Sequence, residues 1–184
     1  MTTRIVGLDV SFTSTGVARL DQTGSGWRHQ LYPIRTGPHR KGDPWALLDR
    51  MEYIRSECAI ATEHADLVVI EGPSFSSVGA ASKDLMGLWW LVIHRLRQAR
   101  LDVAVVPPAS LKRWATGKGN ADKAAVGVAI GRIWPNVELS GNDVVDALGL
   151  ASMGAQLLGL DVPWQVTKYR DLAGVCRPEQ ADAA

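Results

Sequence analysis

The stretch Arg4-Ile5-Val6-Gly7-Leu8-Asp9-Val10-Ser11 decides the reading of this chain. Ile5, Val6, Leu8 and Val10 make it a buried strand, because β-branched and apolar residues dominate a short run. Asp9 lies inside that run. An ionised carboxylate costs several kcal/mol to bury without a partner, so Asp9 marks a site, and a bound cation is one partner that would offset the cost. Working outward, residues 11–16 (Ser-Phe-Thr-Ser-Thr-Gly) suit a tight turn. Val17, Ala18 and Leu20 continue as a second strand, residues 21–26 form another turn, and residues 27–34 form a third strand. Three strands joined by short turns are an antiparallel meander.

Beyond a loop at 37–44, Leu47, Met51, Ile54, Cys58 and Ala61 recur at spacings of three and four, the mark of an amphipathic helix with Cys58 and Met51 as core filler. Residues 67–70 are wholly apolar and end in Glu71-Gly72-Pro73, which reads as a buried parallel strand with a carboxylate at its C-terminal end. Sites form at that end of parallel strands in open α/β sheets. The loop at 72–82 carries Phe75, either an apolar wedge for a base stack or a side chain tucked onto the core.

Residues 85–99 form the most apolar helix. Leu85, Leu88, Trp89, Val92, Leu96 and Ala99 make one stripe, and Met86, Trp90 and Ile93 a second. One stripe covers a sheet, and the second points to a subunit interface. A further strand over 102–106 is closed by Pro107-Pro108, followed by a short helix at 110–115 and a loop at 116–120. Gly117, Lys118 and Gly119 in that loop permit close backbone approach to a phosphate, without the spacing of a P-loop. Residues 121–133 read as a helix with Asn120 as N-cap.

The last helix contains Ser140-Gly141-Asn142-Asp143-Val144-Val145-Asp146-Ala147-Leu148. Asp143 and Asp146 share one face. An acid in the first turn after a Ser140 N-cap explains Asp143. It explains Asp146 less well, because that residue stands among apolar neighbours, where like charges are costly unless a cation binds between them. Asp9, Glu71, Asp143 and Asp146 are hard oxygen ligands suited to Mg²⁺ or Mn²⁺. Two such ions support phosphodiester cleavage.

The 184 residues suffice for one domain. Residues 1–160 are assigned to it and 161–184 to a polar tail, partly disordered, from which Trp164 docks. Hydrophobic and charged contents of 46% and 21% are those of a globular protein, and a net charge of +1 argues neither for nor against nucleic acid. Residues 91–123, however, carry seven Lys/Arg (among them Lys112, Arg113, Lys118 and Lys123) against two Asp, a phosphate-facing or simply solvated surface. Cys58 and Cys176 have no CxxC spacing, and neither a signal peptide nor a membrane span is read, so the expectation is a cytoplasmic protein.

The chain resembles the RuvC-type Holliday-junction resolvases of the ribonuclease H-like superfamily. Gly7-Leu8-Asp9 with Thr15-Gly16-Val17, Val69-Ile70-Glu71, the stretch from Lys112 to Lys123 and the run from Asn142 to Leu148 carry the resemblance. It implies an α/β fold with a five-stranded mixed sheet, three strands in an antiparallel meander plus two parallel, flanked by helices. It further implies Asp9, Glu71, Asp143 and Asp146 as catalytic ligands of Mg²⁺ (or Mn²⁺). Lys112 and Lys123 fall at basic positions near the scissile phosphate, with Arg113 and Lys118 in the same DNA-binding stretch. The implied activity is paired nicking of four-way junctions or related branched DNA by a homodimer, formed through the 85–99 helix. Phe75 stands one residue further from Glu71 than the family's wedging aromatic. That shift and the turn Val10-Ser11-Phe12-Thr13-Ser14 suggest a phage or mobile-element branch. Two other readings compete. An ATP-binding protein of the actin, Hsp70 and sugar-kinase type would share the Asp9–Gly16 pattern but needs two lobes, and a catalytically inactive branched-DNA-binding module would have no use for four clustered acids.

Overall fold

The computed structural model describes residues 2–73, 80–139 and 141–178. Strands β1 (Thr3–Asp9), β2 (Ser14–Thr23) and β3 (Gly26–Arg35) form the expected meander. Helix α1 (Pro44–Ala61) then leads to β4 (Leu67–Glu71), α2 (Ala80–Gln98) to β5 (Val103–Val106), and α3 (Pro108–Thr116), α4 (Lys123–Ile133) and α5 (Asn142–Leu157) complete the chain of elements. The sheet order is β3-β2-β1-β4-β5, with β1–β4 and β4–β5 parallel and the other pairs antiparallel. This is the mixed sheet the sequence predicts.

The period-two alternation of the central strands divides the core. Val6, Leu8, Val68 and Ile70 pack with Met51, Ile54 and Cys58 of α1 and Leu88, Val92 and Leu96 of α2. Ile5, Leu67 and Val69 point the other way, onto α5, with α3 and α4 beyond it. Nearly every residue of α5 from Val144 to Ala155 is buried, as a helix sandwiched between a sheet and two further helices must be.

That helix lies directly on backbone. A Cβ at Gly7 would stand 2.0 Å from the Ala147 carbonyl oxygen, and one at Gly16 would stand 2.0 Å from the carbonyl oxygen of Asp143. The two glycines therefore set the depth of α5 on β1 and β2, and Asp143 sits over the residue that pairs with Asp9.

Several local expectations are corrected. The Pro107-Pro108 pair opens α3, with Pro107 as N-cap and Pro108 in the first turn, where a missing N–H costs nothing. Asp122, not Asn120, caps α4, its side chain accepting from the Ala125 N–H at 2.7 Å. The N-cap of α5 is Gly141, while Ser140 lies outside the described residues, as does Phe75. On α2, Leu85 is 38% exposed, Ala99 falls beyond the helix end and is exposed, and Trp90 of the second stripe is 59% exposed. Only the part of the first stripe from Leu88 to Leu96 faces the sheet. The polar stretch after residue 160 is tied down through residue 178: Trp164 packs against Trp114 and Trp134, Arg170 is buried over Trp114, and Cys176 forms a bridge with Val105.

Gly7→Ala or Gly16→Ala forces α5 off the sheet and should cost about 3 kcal/mol or more. Gly24→Ala, where a Cβ would meet nothing within 4 Å, should be near neutral in the same denaturant titration.

Candidate active site

Alternation along β1 puts Asp9 on the α5 side with Ile5 and Gly7, and alternation along β4 puts Glu71 there with Leu67 and Val69. Leu8 pairs with Ile70, so the two carboxylates leave neighbouring parallel strands side by side. Helix α5 brings Asp143 and Asp146 over the same end, because its first turns rest on Gly16 and Gly7. A cleft of about 310 Å³ is lined by all four acids and by Lys112 of α3 and Lys123, the first residue of α4.

Electrostatics reflect this crowding. Burial, then the charges of Asp146 and Asp143, push the Asp9 carboxyl up to about 7, against a smaller opposing pull from Lys123. Burial raises Glu71 to about 8, helped by Asp9 and Asp146 and opposed by Lys123 and Lys112. Asp146 is also raised, by burial first, with Lys123 opposing and Asp143 adding to the effect. With all groups ionised, four carboxylates face two ammonium groups, a deficit of two positive charges. The donor set is entirely hard oxygen and fits a divalent cation of the Mg²⁺ class. Among the described residues no three His, Cys, Asp or Glu side chains are grouped so as to hold an ion as they stand. The acids share a cleft without forming a closed cage.

The structure also shows what fixes this site. Trp89 lines the cleft, and its indole N–H donates to the Glu71 carbonyl oxygen at 2.8 Å. The sequence presents Trp89 only as one of an apolar stripe, and no local pattern signals a bond from α2 to the end of β4. The turn after Asp9 closes on itself. Thr15 Oγ1 donates to the Ser11 carbonyl and accepts from the Ser11 N–H, and Ser11 Oγ donates to the Ser14 carbonyl and accepts from the Ser14 N–H. Those hydroxyls serve the turn itself. Lys118 lies on the loop between α3 and α4, away from the cleft lining, and the Arg113 guanidinium donates to Asp171 and to the Ala173 carbonyl. Adjacent residues of a helix face different ways, so Lys112 meets the acids and Arg113 meets the C-terminal segment.

Unfolded carboxylates titrate near 3.9 and 4.3, below the folded values of Asp9 and Glu71, so the folded state holds these protons more tightly. Stability from this source is present below the unfolded values and is lost as pH rises through about 7 to 8. In EDTA, the thermal midpoint should fall between pH 5 and pH 8.5, and Asp9→Asn with Glu71→Gln should flatten that fall. A wild-type midpoint that rises over this interval would contradict the assignment.

No protein-family model matches the sequence. The crossover junction endodeoxyribonuclease RuvC of Zymomonas mobilis is 28% identical over 148 residues, covering 79% of this chain and 86% of that protein. The structure of Thermus thermophilus RuvC superposes with a TM-score of 0.67 at 19% identity, over 88% of this chain and all of that one. T. thermophilus RuvC in complex with a Holliday junction substrate gives a TM-score of 0.66 at 19% identity, over 81% of this chain and 90% of that one. The five-stranded sheet with its helices is thus the ribonuclease H-like fold, and by sequence and fold the chain is a homologue of the RuvC Holliday-junction resolvases.

Proposed function

We propose that this protein is a divalent-metal-dependent endonuclease that resolves four-way DNA junctions, or closely related branched DNA, by paired symmetric nicks. One observation carries the reading. Asp9, Glu71, Asp143 and Asp146, drawn from two strand ends and a helix, line a single cleft with Lys112 and Lys123. The name of the Z. mobilis relative and the junction-bound T. thermophilus structure supply the branched substrate.

The four carboxylates would hold one or two Mg²⁺ or Mn²⁺ ions, which supply water activation and leaving-oxygen stabilisation in phosphodiester hydrolysis. The chain's own residues do the rest. The ammonium groups of Lys112 and Lys123 meet the non-bridging oxygens of the phosphate and lower the repulsion between a polyanion and an acidic cleft. Trp89 keeps the end of β4, and so Glu71, at a fixed depth. Gly16 keeps the first turn of α5 against the strand pair that carries Asp9. Lys118 is assigned to the DNA backbone from its glycine loop, and Phe75, four residues beyond Glu71, to the unpaired bases at the branch.

Paired nicks need two sites. The exposed side of α2, with Trp90 outward, is proposed as the homodimer interface. No helix of the described residues is long and apolar enough to cross a membrane, and the cytoplasm is the compartment proposed for the protein.

The test is incubation of the purified protein with a four-way junction, a linear duplex and a flap, in Mg²⁺ or EDTA, beside Asp146→Asn. Symmetric paired nicks in the junction, absent in EDTA and reduced at least ~100-fold in the variant, are expected. ATP hydrolysis without DNA cleavage, or junction binding without cleavage in Mg²⁺, would overturn the proposal.

A further inference from the structure

A second charged surface lies at the same end of the sheet, beyond the turn that follows Asp9. A cleft of about 580 Å³ is walled by Arg35 at the end of β3, by His39 and Arg40 from the chain between β3 and α1, and by Asp49, Arg50 and Tyr53 of α1. Arg35 ends β3 opposite Ser14. It is two strands from β1, roughly 12 Å from Asp9 by ordinary strand spacing and rise.

Arg50 is the fixed part of this cleft. It donates to the Phe12 carbonyl at 2.6 Å and to Thr36 Oγ1 at 2.7 Å, faces His39 Nδ1 at 3.2 Å, and stacks 5.2 Å from the Phe12 ring centroid. A guanidinium donating to His39 Nδ1 leaves the ring's Nε2–H as an outward donor. Arg35, Arg40 and the adjacent Lys41 are exposed. Among the described residues, none of these four cations makes an ion pair. Asp43, the nearest acid in the chain, accepts from the Trp45 and Ala46 N–H groups as the cap of α1. Asp49 is the carboxylate that lines the cleft, so three guanidinium groups stand there against one acid.

The location gives the charge a purpose. An acidic catalytic cleft repels a polyanion and needs cations around it. Lys112 and Lys123 supply them from the α3 and α4 side. On the β3 side the nearest cations are those of this cleft, and the planar fork of Arg matches phosphate oxygens. We propose that the cleft between β3 and α1 is a second phosphodiester-backbone site, which grips a duplex arm without reading its sequence. The proposal rests on the nuclease reading above and adds to it where the DNA runs.

The test uses the full chain with Ca²⁺ in place of Mg²⁺, and measures Kd for a four-way junction across a salt series. Arg50 is left intact because it holds the turn. Arg35→Glu with Arg40→Glu should weaken binding at least ~10-fold and lower the slope of log Kd against log salt by about 2, near 0.9 for each phosphate no longer neutralised. Arg35→Lys with Arg40→Lys should keep the wild-type slope. Arg28→Glu with Arg132→Glu, which changes net charge equally at exposed positions on the start of β3 and the end of α4, should leave the slope near that of the wild type. An unchanged slope in the Arg35/Arg40 pair, or an equal drop in the Arg28/Arg132 pair, overturns the site. A wild type that cuts junctions in Mg²⁺ while the Arg35/Arg40 pair binds normally sinks this inference alone. A wild type that neither binds nor cuts junctions sinks the nuclease reading with it.

Discussion

The structure depends on one close contact, the seating of α5 on bare backbone at Gly7 and Gly16. With any side chain at either glycine, the Ala147 or Asp143 carbonyl would have to move away from the sheet. The contact fixes two things together. It lets a nearly all-buried helix close the core between the sheet and α3 and α4. It also sets Asp143 and Asp146 above the strand ends that carry Asp9 and Glu71. Folding thus forces carboxylates together that would separate if free.

The cost of that juxtaposition is written in the proton affinities. Asp9 and Glu71 hold protons to about pH 7 and 8, because burial and neighbouring acids disfavour their charged forms. Lys112 and Lys123 offset only part of this. A site with an excess of hard anionic oxygen and a deficit of positive charge is built for a cation more than for its own stability. This is the physical basis of the proposed metal-dependent chemistry. The same reasoning explains why cations flank the cleft, since DNA brings further negative charge to a surface already rich in it.

Much of this was legible in the sequence. The order of elements and the mixed sheet follow from short apolar runs and helical periodicity, and three of the acids stand out because Asp9 and Asp146 interrupt apolar runs and Glu71 terminates one. Lys112 and Lys123 stand in a locally basic stretch. What was hidden depends on contacts between distant segments. The Trp89 bond to the Glu71 carbonyl joins α2 to β4, and Arg50 reaches back to Phe12 across 38 positions. The stretch after residue 160 reads as polar apart from a docking Trp164, yet Arg170 is buried there as well, over Trp114. Helix starts are ambiguous for a local reason: Pro107-Pro108 can end a strand or begin a helix, and Asn120 and Asp122 are both competent caps.

The central claim is that Asp9, Glu71, Asp143 and Asp146 act as one cation site because α5 holds them to a single cleft. Titration of the purified protein with Mn²⁺, followed by electron paramagnetic resonance of the free ion, tests it without DNA. Saturable binding is expected in the wild type at pH 8, abolished or weakened at least ~10-fold in each of Asp9→Asn, Glu71→Gln and Asp146→Asn. Wild-type affinity retained in all three variants would contradict it.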